Sequence, residues 1–297
     1  MTRTMSTTPT LTADDNLTAQ HADPSPDYPH LEHRSGTQRR RRLGPGKAIP
    51  ASLAVGPVLL VVLWLVTSQL GILDPDTLPH PLDIARTVQQ MWVDGRLPAN
   101  ILSSLKLAAI SLFIGAALGL ALALISGLSR IGEAIVDGPV QVKRAVPTLA
   151  IIPLAIIWFG IGDTMKIIII ATSVLIPVYI NTTAQLKGVD LRHVELAETV
   201  GLSRAQFIRK VAIPGALPGF FTGLRLAVTI SWTALVVVEQ VNATSGIGFL
   251  MTQARLYGQL DIVVVGLLVY AVFGLAGDYA VRSIERRALS WRRALGN

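Results

Sequence analysis

The sequence predicts an all-α integral membrane protein with six transmembrane helices, and three observations predict it. Of its 297 residues 51% are hydrophobic and only 15% charged, against roughly 25% charged in an ordinary soluble domain, too few to coat a soluble core of this size. Six stretches are apolar over close to the ~20 residues that a helix needs to cross a bilayer. Finally, 21 of the 26 Lys and Arg residues fall in alternate connecting segments, on one side of that six-span arrangement.

Residues 1–48 come first and are polar, rich in Thr, Asp, Pro and His, and end in Arg39-Arg40-Arg41-Arg42. Such a composition buries too little apolar surface to offset chain entropy, which predicts a disordered basic tail. The first apolar stretch starts too far into the chain, and runs too long, for a secretory signal. A membrane domain is expected over 49–284, and a second basic tail over 285–297.

Within the membrane domain the first span is expected over 51–72, around Val58–Val66, and the second over 103–126, rich in Ala, Gly and Leu. The third, over 145–161, is short and contains Pro147 and Pro153. Backbone groups freed by proline in lipid must find partners on neighbouring helices, so this segment is expected inside the bundle. The fourth runs over 166–184, opening with Lys166, and the fifth and sixth over 222–241 and 262–280. Gly115 and Gly119 in the second span form a small-xxx-small pattern that permits close helix crossing, between two subunits or within one. Asp278 can reach Arg282 one helical turn away.

Charge placement gives the orientation. Lys and Arg concentrate in the N-terminal tail, around 130–144, in 187–225 and at the C-terminus. The opposite side holds only Arg86, Arg96, Lys106, Lys166 and Arg255. The positive-inside rule puts both termini and the long 187–221 connection in the cytoplasm. With the acids counted, the net charge of +7 divides into +9 on that side and −2 on the other. The basic surplus is thus a topology signal; nucleic-acid binding stays an alternative for Arg39–Arg42 alone. Cysteine is absent, which excludes disulfides, thiolate metal sites and a Cys nucleophile.

Residues 187–221 are longer than a simple helix connection, and connections beyond about 12–15 residues are usually functional or disordered. Asp190 can cap a helix whose apolar positions Leu191, Val194, Ala197 and Val200 recur every third residue, and Gly201 supplies the break past its end. Ser203-Arg204-Ala205-Gln206 reads as a capping box. It opens a second helix carrying Phe207, Ile208 and Val211 that is expected to stop before Pro214. The resulting helix-Gly-helix element fits either an interfacial anchor on lipid headgroups or a docking surface for a cytoplasmic partner.

Its sequence decides between them. Glu195-Leu196-Ala197, three residues, Gly201, nine residues, then Val211-Ala212-Ile213-Pro214 resembles the EAA loop of ATP-binding-cassette importer permeases, with Leu196 in place of the middle Ala and Ile213 in place of Leu. The resemblance runs from about 57 to 291. Pro147–Leu154, Trp158–Asp163, Pro214–Pro218 and Thr222–Arg225 are similar to the nitrate, sulfonate and taurine branch, with Asp163 where that branch often has Glu. Residues 1–48 have no counterpart there.

The resemblance implies a type I importer permease fold in the cell's inner, cytoplasmic membrane, and no enzymatic chemistry. No Gly-x-x-x-x-Gly-Lys-Ser/Thr loop is present to cradle phosphates, so ATP would be bound by a separate ATPase subunit and the permease would need no cofactor or metal. Glu195, Leu196, Ala197, Gly201, Phe207, Val211, Ile213 and Pro214 would couple to that ATPase. An extracytoplasmic binding protein would deliver the solute at the outer loops, of which 73–102 is the longest, and a second copy, as a homodimer, would complete the pathway across the lipid bilayer. A sulfonate, taurine or nitrate-like anion fits the branch, and so does a neutral cofactor precursor. A secondary transporter would ordinarily show internal repeats and charged relay residues at mid-membrane; a membrane enzyme would need paired acids or His clusters inside the spans. Neither pattern is found.

For the pathway itself, an ionisable group inside a span is a functional candidate by default. Glu239 is such a group, as a gate or binding-protein contact, or else as an interfacial carboxylate paired with Arg255. Ser173, Thr229, Ser231 and Thr233 can hydrogen-bond an oxyanion, or bond back to their own helix. Lys106 and Lys166 mark the outer ends of the second and fourth spans and could attract anions, although snorkelling to water is the ordinary role of lysines so placed. His193 has no second ligand at metal spacing and reads as a surface residue.

Overall fold

A computed structural model describes residues 52–74 and 77–291; the expected tail 1–48 and residues 292–297 lie outside them. From Ala54 onward the chain forms one unit. Every regular element among the described residues is helical.

An apolar helix, α1 (Ser52–Gln69), comes first. The amphipathic α2 (Pro81–Val93) follows, started by His80, whose ring nitrogen accepts from the Leu82 N–H at 3.2 Å. Helix α2 buries Ile84 and Met91, and Thr87 donates to Asp261 at 2.6 Å across 174 residues of chain. The expected outer loop 73–102 is therefore largely helix, since α3 (Arg96–Leu128) already begins at Arg96.

Helix α6 (Asp163–Lys187) is the centre of the molecule. Its Met165, Ile169, Ile170, Val174 and Val178 are buried between α3 and α9 (Ile213–Asn242). Small residues make that depth possible. A side chain on Gly119 of α3 would come within 2.8 Å of the Leu175 carbonyl, and Gly115 faces the Ala171 carbonyl in the same way. On α9, Gly219 and Gly223 meet the Asn181 and Pro177 carbonyls at 2.5 and 2.6 Å from where a Cβ would stand. Lipid offers no hydrophobic drive between helices, so association depends on such close backbone packing. The Gly115–Gly119 pattern is thus used within one subunit.

The third expected span takes a different form. It begins after a break at Val146-Pro147, where proline forces its predecessor out of helical geometry; Val146 has φ −85° and ψ 120°. Helix α4 (Arg130–Ala145) before the break and α5 (Thr148–Phe159) after it cross at 104°. With 12 residues, α5 is about 18 Å long, short of the ~30 Å hydrocarbon core. Among the described residues four helices are long and apolar enough to cross alone, and five spans result if the α4–α5 pair counts as one; α1 is a shorter apolar helix. These helices do not establish the expected count of six.

The fifth span also departs from expectation, because it begins far earlier. Helix α7 (Leu191–Thr199) and α8 (Arg204–Phe207) form as the caps predicted, but α8 does not stop before Pro214. A π-helical turn, Ile208–Ala212, carries it into α9, with the Ile213 N–H bonded back to the Ile208 carbonyl. Widening the helix by one residue relieves the clash that a proline ring makes with the preceding turn. One continuous helix of 38 residues results, Arg204–Val241. Two helices complete the fold, α10 (Ile247–Leu256) and α11 (Leu260–Ala288). Asp278 of α11 binds Arg282 at 2.7 Å as its spacing predicts, and also Arg225 of α9 at 3.2 Å.

Candidate functional site

Residues singled out in the sequence gather at the α7–α8 loop, in a cavity midway along α6, and in a cavity at the far end of α6.

The loop is shaped by local hydrogen bonds. Asp190 caps α7 by accepting from the Arg192 N–H at 3.0 Å. At the other end Gly201 adopts φ 72°, which an L-residue enters only at a cost. This lets the Leu202 N–H bond the Ala197 carbonyl and the Gly201 N–H bond the Glu198 carbonyl, both at 2.9 Å, a Schellman closure. Ser203 and Gln206 then form both halves of the capping box. Glu195, Leu196, Gly201 and Ile213 are exposed, Leu196 at 62% and its neighbour Val200 at 68%, while Ala197 is buried. Phe207 is half-buried and packs against the cluster of Leu186, Ala212 and Ala216, on which Leu124 and Leu128 of α3 also pack. Arg204 adds a bond to the Leu128 carbonyl at 3.0 Å. Val211 and Pro214, half-buried, line a groove of about 460 Å³ with Asp190, His193 and Trp291. The predicted loop residues therefore divide into an exposed edge (Glu195, Leu196, Gly201, Ile213) and anchors beneath it (Ala197, Phe207, Val211, Pro214).

Midway along α6 a cavity of about 250 Å³ lies among α5, α6 and α9, lined by Thr148, Ser173, Thr233 and apolar side chains. Two of the four predicted hydroxyls meet here. Both also bond back to their own helix, Ser173 to Ile169 at 2.8 Å and Thr233 to Thr229 at 3.2 Å. Ser231 is buried elsewhere and donates to the Val228 carbonyl at 2.8 Å, and Thr229 is exposed outside the cavity lining.

The far end of α6 carries the charge. Glu239 is only 2% exposed, and the interfacial pairing with Arg255 does not occur. Its carboxylate instead accepts from Ser104 at 2.7 and 2.9 Å, the Gly248 N–H at 2.8 Å and the Tyr270 hydroxyl at 3.0 Å. Ser104 in turn accepts the Ile247 N–H at 2.8 Å, and Asn100 accepts the Gly246 N–H at the same distance. Together these groups hold the first turn of α10, whose free N–H groups favour negative charge, and tie α3, α9, α10 and α11 at one point. Gly246 and Gly248 leave the room: a side chain on Gly248 would lie 2.6 Å from the Glu239 Cβ. Sequence reasoning found Glu239 and missed Ser104, Gly248 and Tyr270, because a single serine or tyrosine in an apolar span gives no sign of its distant partner. Beside this network lies a cavity of about 330 Å³ lined by Ser103, Lys106, Asp163, Lys166, Ser245 and Glu239 itself.

The family described as "Binding-protein-dependent transport system inner membrane component" matches residues 115–290. This chain belongs to that family. The permease is 40% identical over 238 residues to the putative aliphatic sulfonates transport permease protein SsuC of Escherichia coli strain K12, covering 80% of this chain and 90% of that one. It is 37% identical to the SsuC of Bacillus subtilis strain 168, over 80% of this chain and 86% of that one. To the taurine transport system permease protein TauC of E. coli it is 33% identical, over 82% of this chain and 90% of that one. Among solved structures, a crystal structure of an amino acid ABC transporter with histidines matches with a TM-score of 0.57 at 20% identity, covering 67% of this chain and 97% of that one. The inward-facing MetNI methionine ABC transporter matches at 0.52 and 21% identity, over 66% and 98%. The permease is thus a multi-pass membrane subunit of a binding-protein-dependent ABC importer with the type I fold, and membership implies an ATPase partner and a solute-binding protein.

Proposed function

We propose that this permease imports small sulfonates, taurine among them, with α7–α8 as the seat of the ATPase subunit. The supporting observation is the exposed edge Glu195–Leu196–Val200 beside Gly201, closed by the Schellman bonds and anchored by Phe207 on the Leu186 cluster and by Arg204 on the Leu128 carbonyl of α3. Two exposed aliphatics and a carboxylate at the C-terminal end of a nine-residue helix suit a groove on a soluble partner. The uneven division of Lys and Arg supports an inner-membrane orientation with both termini and this loop in the cytoplasm. In this arrangement two copies face each other around the α5–α6–α9 cavity, and ATP-driven closure of the partner subunits turns them from inward-facing to outward-facing. The chain contributes the path and the coupling surface, and the ATPase performs the chemistry.

Uptake of radiolabelled ethanesulfonate and taurine by cells carrying the complete transporter tests the solute. Co-purification of the ATPase with Glu195→Lys and Gly201→Asp permeases tests the loop. Uptake in wild type and loss of both uptake and co-purification in the variants, with normal membrane insertion, is the expected result. Variants that bind the ATPase and transport normally would sink the assignment. A neutral solute taken up in place of sulfonates would redirect the substrate reading to cofactor precursors.

A further inference from the structure

Lysines at the ends of membrane helices ordinarily reach water with their ammonium groups. Lys106 does so, being exposed. Lys166 does not: it sits one turn inside α6 and is only 4% exposed. Among the described residues its ammonium donates to Asp163 alone, at 3.0 Å, and the Asp163 side chain is 77% exposed to solvent. An ammonium carries three donors, and burying one is costly unless it is paired and hydrogen-bonded. A single exposed carboxylate is a weak partner for it.

The other acid nearby is already engaged. Glu239 spends its oxygens on Ser104, Gly248 and Tyr270. Beside the engaged Glu239 and the solvent-exposed Asp163, the 330 Å³ cavity is faced by a buried ammonium with unfilled donors, a second lysine, and the hydrogen-bonded hydroxyl pair Ser103–Ser245 at 2.8 Å. That volume falls at the lower end of small-ligand sites, and polar groups converge there beside the apolar Leu102, Leu107, Ile110 and Ile167. Lys166 and Lys187 stand at opposite ends of α6, 21 residues and about 32 Å apart, so the cavity opens at the face away from α7–α8.

The geometry points to an anion-binding vestibule at this outer end, in which Lys166 holds the sulfonate or a like oxyanion of the incoming solute, Lys106 draws it in, and Ser103 and Ser245 supply further donors. The permease itself then reads the charge of the solute, in addition to whatever the binding protein selects. This inference rests on the importer reading only for the identity of the visitor; the site's preference for anions is testable without transport.

The chain contains no cysteine, so Ser103→Cys places a unique thiol in the cavity wall. The full-length permease carrying it, in lipid nanodiscs, is labelled with 2-sulfonatoethyl methanethiosulfonate and, separately, with the trimethylammonioethyl reagent, each rate being divided by that on free 2-mercaptoethanol. The expected result is at least a fivefold preference for the sulfonate reagent, slowed by ethanesulfonate and not by ethylammonium. Adding Lys166→Met should abolish the preference, Lys166→Arg should retain it, and Asp163→Asn should leave it at or above the parent level. No preference in the parent, a preference indifferent to Lys166→Met, or a fall with Asp163→Asn to the level of Lys166→Met would overturn the proposal. The last result would mean that the Lys166–Asp163 pair only shapes the cavity and that the ammonium is not itself the anion's partner. If the preference is found while the intact transporter takes up no sulfonate, the vestibule stands and the solute reading fails.

Discussion

The two ends of α6 are built on different plans. At the α7–α8 end, shape comes from bonds between near neighbours: Asp190 to Arg192, Leu202 to Ala197, Ser203 to Gln206. At the other end it comes from partners far apart in the chain, Ser104 with Glu239 across 135 residues and Thr87 with Asp261 across 174. A locally encoded element keeps its form while its surroundings move, which suits a surface that must follow a moving partner. A clamp made of four helices keeps its form only if all four stay in place, which suits a fixed rim.

Substitutions at the two ends should therefore fail in different ways, and the largest effect on stability is expected at the clamp. Glu239→Leu leaves the Ser104 and Tyr270 hydroxyls and the Gly248 N–H buried without their acceptor. At roughly 1–3 kcal/mol per orphaned group, it should cost about 3–5 kcal/mol, read as a fall in melting temperature of the detergent-solubilised protein; a change below about 1 kcal/mol would mean that the network is not a clamp. Gly201→Asp comes next. Nothing lies within 4 Å of where its Cβ would stand, so the penalty is the left-handed backbone alone, about 1–2 kcal/mol, with Gly201→Asn milder than Gly201→Asp-like bulk would suggest because Asn tolerates that conformation. Ser203→Ala should lose about 1 kcal/mol through the missing cap, measurable as earlier proteolysis of the loop. Glu195→Lys, on an exposed position, should shift stability by less than about 0.5 kcal/mol while removing ATPase co-purification. Were it instead to unfold the protein, the distinction between a followed surface and a fixed rim would collapse.

The same contrast explains what the sequence made legible. Each device of the loop lies within six residues of its partner, so caps and breaks could be read directly from Asp190, Gly201 and Ser203. The sixth span, and the apolar part of the fifth, were legible from hydropathy alone, though not the fifth helix's early start at Arg204. Where reading stopped, a distant partner or a compensating distortion was at work. The end of the second loop helix was misplaced because Pro214 is an honest stop signal that a π-helical turn overrides. The third span, expected over 145–161 as a short proline-containing segment inside the bundle, hid its geometry because hydropathy sees apolar content and not the 104° bend at Val146-Pro147. Lys166 looked like any lysine at a helix end; only the packing of α3 and α9 around it shows that it is buried.

The π-helical turn has a mechanical consequence. Because Ile208–Ala212 lets the helix pass Pro214 unbroken, Arg204 and Glu239 sit on a single lever, 35 residues and about 52 Å long. Over that length a tilt of about 5° moves the far tip by about 4–5 Å, roughly the width of a methylene chain. Had the helix stopped at Pro214, a loose joint there would have absorbed the stroke; as built, a small swing at one tip arrives undiminished at the other.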